Sequence, residues 1–289
     1  MLVAALLCLA AVVYLPALDG TALWDDDVYL TENPLVTGDG GFGRIWFSRD
    51  HPSQYFPLVY SAFRLEYLAW GLDLRFYHLV NVLLHALNAL LLWLILRRLA
   101  VPGALLATAL WALHPVQVES VAWLTELKNT LSTFFLFGSL LAWVRHLELD
   151  LPGVMAGDRA GTGPQAPSGK SAKAAARRGQ GRSEDKPVAA DAGSWGWYAL
   201  SLGLFVPALF AKTTASTLPA LLVAALWWRK ERLGRRRVLE IAPFVVIGIA
   251  LGLLTVWWER AQGSVGPEFY LSAAEKVLVA GRALWFYLG

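Results

Sequence analysis

Seven stretches of the chain run without an acidic or basic side chain: residues 1–18, 76–96, 99–118, 129–144, 192–211, 213–228 and 241–258. A membrane-crossing helix needs about 20 consecutive apolar residues, within a range of roughly 17–25. The stretches 129–144 and 213–228 are short. They are flanked by Lys128 with Arg145 and by Lys212 with Arg229, which can carry their charges out to the headgroups. The pattern predicts an all-α, polytopic membrane helix bundle of about seven spans, with the third–fourth and fifth–sixth pairs the least regular.

Between these stretches the polar positions set the organisation. Residues 19–75 form a long first loop, with turn signals at Glu32-Asn33-Pro34 and Gly38-Asp39-Gly40-Gly41. Residues 45–47 and 55–74 are rich in aromatics yet carry Arg64, Glu66 and Asp73, which suits helices lying along a membrane surface. The segment from His114 to Trp123 joins the third and fourth stretches as a short outer turn, with Pro115 as a helix breaker. From 151 to 193 the composition shifts to Gly, Ala, Ser, Pro, Lys and Arg, which predicts a disordered linker. The chain thus divides into a first membrane module (1–150), the linker (151–193) and a second membrane part (194–289). The second part closes on an amphipathic helix over 272–288 that carries Lys276 and Arg282 and ends in an aromatic run, the pattern of a longer protein cut short.

Composition agrees with a membrane chain. Hydrophobic residues make up 56% of it and charged residues 16%, against roughly 25% charged in an average soluble domain. The first stretch lacks a basic leader and a small-residue cleavage site, so it is expected to remain as a helix. Placing the amino terminus in the cytoplasm assigns 16 of the 25 Lys and Arg residues to the inside, while 14 of the 22 acids fall outside. Basic residues favour cytoplasmic loops, so this is the expected orientation, and it explains the net charge of +3 without a nucleic-acid partner. Asp25, Asp26 and Asp27 then lie on the periplasmic or lumenal face. The lone Cys8 sits inside the first apolar stretch, with no partner for a disulfide or zinc site.

The candidate chemistry gathers at that outer face. Acids beside a membrane helix are costly, and Asp25–Asp27 after Trp24 suit a general base for a hydroxyl nucleophile. A divalent metal site is a second option, though none is required, and a solvated loop is the plain alternative. His78, Asn81, His85 and Asn88 recur every three or four residues and so share one helix face. They suit interhelical hydrogen bonding, with His78, near the outer end, the one most open to function. His114, Glu119, Glu126 and Lys128 flank the Pro115 turn, as a polar cavity or as a paired network. Lys212, between two apolar stretches, needs an anionic partner: an aspartate of the first loop or the phosphate of a lipid-linked substrate. Arg282 is a comparable phosphate ligand or else an exposed helix charge.

Read in order, Trp24-Asp25-Asp26-Asp27, Glu32-Asn33-Pro34, Tyr77-His78-Leu79-Val80-Asn81, Leu84-His85-Ala86-Leu87-Asn88, His114-Pro115-Val116, Glu119-Ser120-Val121-Ala122-Trp123 and Ala211-Lys212-Thr213 resemble the transmembrane and tetratricopeptide-repeat O-mannosyltransferases. The resemblance implies a GT-C type glycosyltransferase that uses a lipid-phosphate-linked sugar donor, typically mannose on polyprenyl or dolichyl phosphate, and a protein Ser or Thr acceptor. It implies an acidic pair in the first outer loop, which falls on Asp25 and Asp26. Lys212, Arg282, His78, His114, Glu119 and Lys128 are then the expected donor- and substrate-binding residues, with no metal ligand assigned. The chain departs from such relatives at Leu127 and Asn129, where they often carry a basic residue and an acid, which leaves Glu126 and Lys128 as the local polar pair. The Ala, Arg and Gly richness favours a bacterial inner membrane over an endoplasmic reticulum. A lipid-linked-substrate transporter or flippase, and a membrane anchor for a repeat scaffold, are the other two classes the sequence allows.

Overall fold

The computed structural model describes residues 2–48, 55–150, 192–261 and 271–288. The expected linker lies almost wholly outside the described residues. Among those described, five helices are long and apolar enough to cross a membrane, the remaining elements are shorter helices and helical turns, and no strand occurs. The first helix, α1 (Leu2–Val13), continues through a 3-10 turn at Leu15–Asp19. The first loop follows, with a π-type turn at Asp27–Thr31 and the helices α2 (Pro34–Thr37), α3 (Gly41–Phe47) and α4 (Pro57–Trp70). Next come α5 (Leu74–Arg98), α6 (Ala104–Ala112), α7 (Gln117–Ala122) and α8 (Leu127–Asp150). The second part holds α9 (Ala192–Ala211), a 3-10 turn at Thr213–Thr217, α10 (Leu218–Trp228), α11 (Arg235–Ala261) and α12 (Ala273–Leu288).

Local chemistry places the element ends. Asn33 caps α2 by accepting from the Leu35 amide at 2.9 Å, and Pro34 supplies the preset φ of a first helical residue. Asp73 caps α5 through the Arg75 amide, directly after Gly71 turns the chain at φ +62°.

Side-chain ties show which ends lie together. At one end of the bundle Arg98 and Arg145 meet Glu148, and Asp150 takes Arg236 at 2.5 Å and Arg237 at 2.9 Å. The Trp228 indole donates to the Leu99 carbonyl there. At the other end Asn81 reaches the Trp123 carbonyl, Thr213 meets Thr255, and Tyr55 stacks near Trp258. Among the described residues, basic side chains assigned to one side, Arg98, Arg145, Arg236 and Arg237, therefore gather at one end, and the Asp25–Asp27 loop lies at the other. Helix α5 spans about 37 Å between those ends at 1.5 Å per residue.

Of the seven expected spans, 99–118 and 213–228 do not form single crossing helices. Pro115 and the preceding turn split the former into α6 and α7, and the 3-10 turn at Thr213–Thr217 shortens the latter to the 11 residues of α10. The stretch 129–144, short in the sequence, sits inside the 24-residue α8 because Lys128, Arg145 and Glu148 are accommodated by ion pairs.

The closest helix pair is α8 with α9. Ser139 and Ser201 exchange hydroxyl-to-carbonyl bonds at 2.7 and 2.8 Å, and Ser132 donates to the Ala208 carbonyl. Around this seam Trp143, Phe205, Leu222 and Phe244 form the main core, which joins residues from both sides of the linker. A second core lies at the loop end, where Leu30, Leu35, Ile45, Tyr60 and Phe63 meet Leu124, Leu127 and Ala211. The first loop is thus folded onto the bundle. Arg64 pins it by donating to the carbonyls of Val36 and Gly38.

Glu66 of α4 is buried with one carboxylate oxygen lacking any donor, and burial raises its pKa to about 8. The folded protein therefore keeps Glu66 protonated over a range where the unfolded chain has ionised it. The stability that Glu66 contributes is full below pH 4.5 and is lost progressively as pH rises toward 8. Glu66→Gln should flatten that decline, as read from thermal unfolding in detergent across pH 5 to 8. An unchanged slope would show that Glu66 ionises freely.

Candidate active site

Asp26 organises the first loop. Its carboxylate is fully buried and accepts from the Leu23 amide at 2.8 Å and from the Thr125 amide at 3.0 Å. The Asp26 amide returns a bond to the Leu23 carbonyl, closing a turn that holds Trp24 at φ +46°. That left-handed conformation costs a large side chain roughly 1–2 kcal/mol and persists because the turn is bonded from both directions. The exposed Trp24 ring leans edge-on against Trp123 at 5.2 Å. Asp25 and Asp27 are exposed; Asp27 accepts from the Val28 amide, and Asp25 carries no side-chain bond among the described residues. Two of the three carboxylates are thus held by backbone amides, Asp26 buried and Asp27 at the surface.

His78 lies under this loop. Its ring is buried beside Gly20, where even a Cβ would sit 2.9 Å from Nε2, and it lies within electrostatic reach of the Asp26 carboxylate. The rest of the stripe bonds to backbone: Asn81 to the Trp123 and Leu124 carbonyls, His85 to the Ala112 carbonyl and Asn88 to the Thr130 carbonyl. These are the interhelical bonds the spacing predicts.

Beside the stripe lies a polar cavity of about 370 Å³. Lys212, Asn129, Ser120, Gln117, Thr214 and Thr217 line its polar side, and His85, Asn88, Trp111 and Phe137 add to the wall. Lys212 donates to Asn129 Oδ1, while Asn129 Nδ2 donates to Glu126 and to Ser120 Oγ. Glu126 also takes Lys128 at 2.7 Å, so a chain of contacts runs Lys128–Glu126–Asn129–Lys212. Burial draws the Lys212 ammonium below the usual lysine range; Lys128 adds to this, and Glu126 and Glu119 oppose it. With a single bond made and three donors available, Lys212 has capacity left for an anion in the cavity.

Not every expected residue joins this constellation. Glu119 is exposed on α7, within the electrostatic reach of Lys212. Lys128 is spent on Glu126 and stands 6.0 Å from the Trp123 ring. His114 is exposed and accepts from the Val116 amide, which shapes the Pro115 turn. Arg282 is exposed on α12 and does not line the cavity. Neither Asp25 nor Asp26 lines it; the acidic loop and Lys212 are instead both tied to the segment 123–129, through Thr125 and Asn129. Among the described residues, no three His, Cys, Asp or Glu side chains converge in a metal cage.

About half of the chain is similar to known proteins. The chain is 35% identical over 151 residues to Protein O-mannosyl-transferase Tmtc1 of Drosophila melanogaster, covering 48% of this chain and 18% of that protein. It is 33% identical over 150 residues to Protein O-mannosyl-transferase tmtc2 of Xenopus laevis, with the same two coverages. A Caenorhabditis elegans protein, Protein O-mannosyl-transferase F38B6.6, is 30% identical over 161 residues, covering 50% of this chain and 23% of that one. The matched stretch is thus similar to part of proteins named protein O-mannosyl-transferases. It spans about a fifth of the length of these curated relatives. No family model matches the chain, and no solved structure does.

Sequence reasoning assigned no role to Asn129, Ser120, Gln117, Thr214 and Thr217. The hydroxyl-rich run after Lys212 was the visible signal for the two threonines, since it follows a charge at the edge of an apolar stretch. Asn129 stood out only as a departure from the resembled family; its neighbours in space reveal it as the link between Glu126 and Lys212.

The two aspartates should separate cleanly by mutation. Asp26→Ala leaves the Leu23 and Thr125 amides without their carboxylate, which should cost about 1–3 kcal/mol per lost partner and speed amide exchange over residues 20–31. Asp25→Asn, at an exposed position, should change stability by less than about 0.5 kcal/mol. Equal melting temperatures for the two variants would contradict this division of labour.

Proposed function

We propose that this chain is the membrane portion of a glycosyltransferase that moves mannose from a polyprenyl- or dolichyl-phosphate donor to a protein Ser or Thr hydroxyl. The supporting observation is a half-buried lysine with spare donors in a polar cavity, in a relative of proteins named protein O-mannosyl-transferases. In this reading Lys212 meets the donor phosphate, and the hydroxyl and amide groups of Thr214, Thr217, Ser120 and Gln117 face the sugar. A lone cation in a partly desolvated wall favours a phosphate more strongly than it would in water. Arg282, exposed on α12, is a second phosphate partner only if that helix meets the donor.

Asp25 serves as general base, with Asp26 holding the loop that carries it. The acceptor oxygen attacks the anomeric carbon as Asp25 takes its proton. The bond from that carbon to the phosphate oxygen breaks, and the lipid phosphate leaves with the electron pair, its charge balanced by Lys212. A single displacement inverts the anomeric configuration. The reaction belongs on the periplasmic side of a bacterial inner membrane, the face opposite the basic end of the bundle. Glu119 is the alternative base, favoured by its place in the electrostatic field of Lys212.

Transfer assayed in detergent with radiolabelled lipid-phosphate mannose tests both roles. Asp25→Asn should lower kcat by about 10²–10⁴-fold with folding intact. Lys212→Met should act mainly on donor KM, by about 10- to 100-fold, the worth of a charged hydrogen bond. Full transfer by Asp25→Asn, with loss in Glu119→Gln, would move the base to α7. Donor movement only in sealed vesicles, without sugar transfer, would instead indicate a carrier.

A further inference from the structure

At the basic end, away from the proposed active site, a second hollow of about 560 Å³ opens between α9 and α11, lined by Trp195, Tyr198, Arg235, Arg236, Leu239 and Glu240. Its two rims differ in chemistry. On the polar rim Arg235 is exposed and has no partner among the described residues. Arg236 spends Nε on Glu240 and Nη2 on Asp150 yet remains half-exposed, so it keeps further donors. Glu240 adds no free negative charge, because Arg236 and Arg237 hold its two oxygens at 2.9 and 2.6 Å. Arg235 and Arg236 also stand in the first turn of α11, where unpaired amides add partial positive charge.

The apolar rim continues down the helix. Leu239, Val246 and Leu253 are 61%, 64% and 64% exposed and repeat every seven residues, so they share one face of α11. Trp195, also exposed, lies edge-on to Tyr198 at 5.4 Å, and the Tyr198 hydroxyl is turned inward to the Glu240 carbonyl. Together the rims offer a cationic head site at the membrane edge and a greasy track leading away from it.

From this arrangement we infer a binding site for one anionic phospholipid, its phosphate on Arg235 and Arg236 and an acyl chain along Leu239, Val246 and Leu253. A free phosphate would satisfy the rim alone and leave the track bare; a zwitterionic lipid would place its own cation among the arginines. The bound lipid would bridge α9 and α11, two helices that otherwise meet through Tyr198, Phe205 and Phe244.

Native mass spectrometry of the detergent-purified chain tests this with three probes: phosphatidylglycerol, phosphatidylcholine of the same acyl chains, and glycerol 3-phosphate. The expected result is one retained phosphatidylglycerol, bound at least about fivefold more tightly than phosphatidylcholine, with glycerol 3-phosphate failing to displace it. Arg235→Gln, at an exposed and unpaired position, should remove that preference, whereas Arg232→Gln, exposed on the nearby loop, should keep it. Equal loss in both variants would reduce the effect to diffuse surface charge. No preference in the unmodified chain, or displacement by glycerol 3-phosphate, would overturn the lipid site.

Discussion

The backbone between Ala112 and Thr130 is irregular in a protein whose other passes are long helices, and α5 makes that irregularity tolerable. Where water is scarce, a carbonyl released from a helix must find a donor within the protein. The polar stripe of α5 supplies these donors: His85 at the end of α6, and Asn81 at the Trp123 and Leu124 carbonyls. Asn88 then fixes the first turn of α8 through Thr130. With these bonds the chain can turn, and the turn carries Ser120, Glu126 and Asn129 to the cavity.

The same segment joins the two halves of the candidate site. Asp26 reaches it from the first loop through the Thr125 amide, and Lys212 reaches it from the end of α9 through Asn129. Asn129 is the informative member. As a neutral amide it accepts from Lys212 on one side and donates to Glu126 on the other, so the carboxylate is held off the ammonium and Lys212 keeps its charge available. A carboxylate at 129 would pair with Lys212 directly and weaken its hold on any anion, which gives the departure at this position a physical meaning.

At the opposite end the protein spends charge on assembly. Asp150, Glu231 and Glu240 are nearly buried and are held by Arg229, Arg236 and Arg237. Removing one member of such a cluster strands the rest in a poorly hydrated place, so these residues act together to lock α8 against α11. Arg235 has no partner among the described residues and stays exposed beside this cluster.

Much of this was legible in the residue order. Charge-free stretches gave most of the long helices, basic residues sorted the described ends, Glu32-Asn33-Pro34 marked a turn that proves to open α2, and the spacing of Asn81, His85 and Asn88 announced a hydrogen-bonding face. These features depend on neighbours within a few residues, so periodicity and composition carry them. Three things were decided only in the folded chain. Two of the seven apolar stretches do not form single long helices, because turns inside them are stabilised by side chains from elsewhere. Among three consecutive aspartates, the middle one is buried and the first is free, because only Asp26 meets an amide 99 positions away. And Asn129, given no role by the sequence, becomes the link of the site because Glu126, Ser120 and Lys212 converge on it. Sequence spacing records what a helix brings together, but a bond across the bundle depends on packing, and no local pattern encodes it.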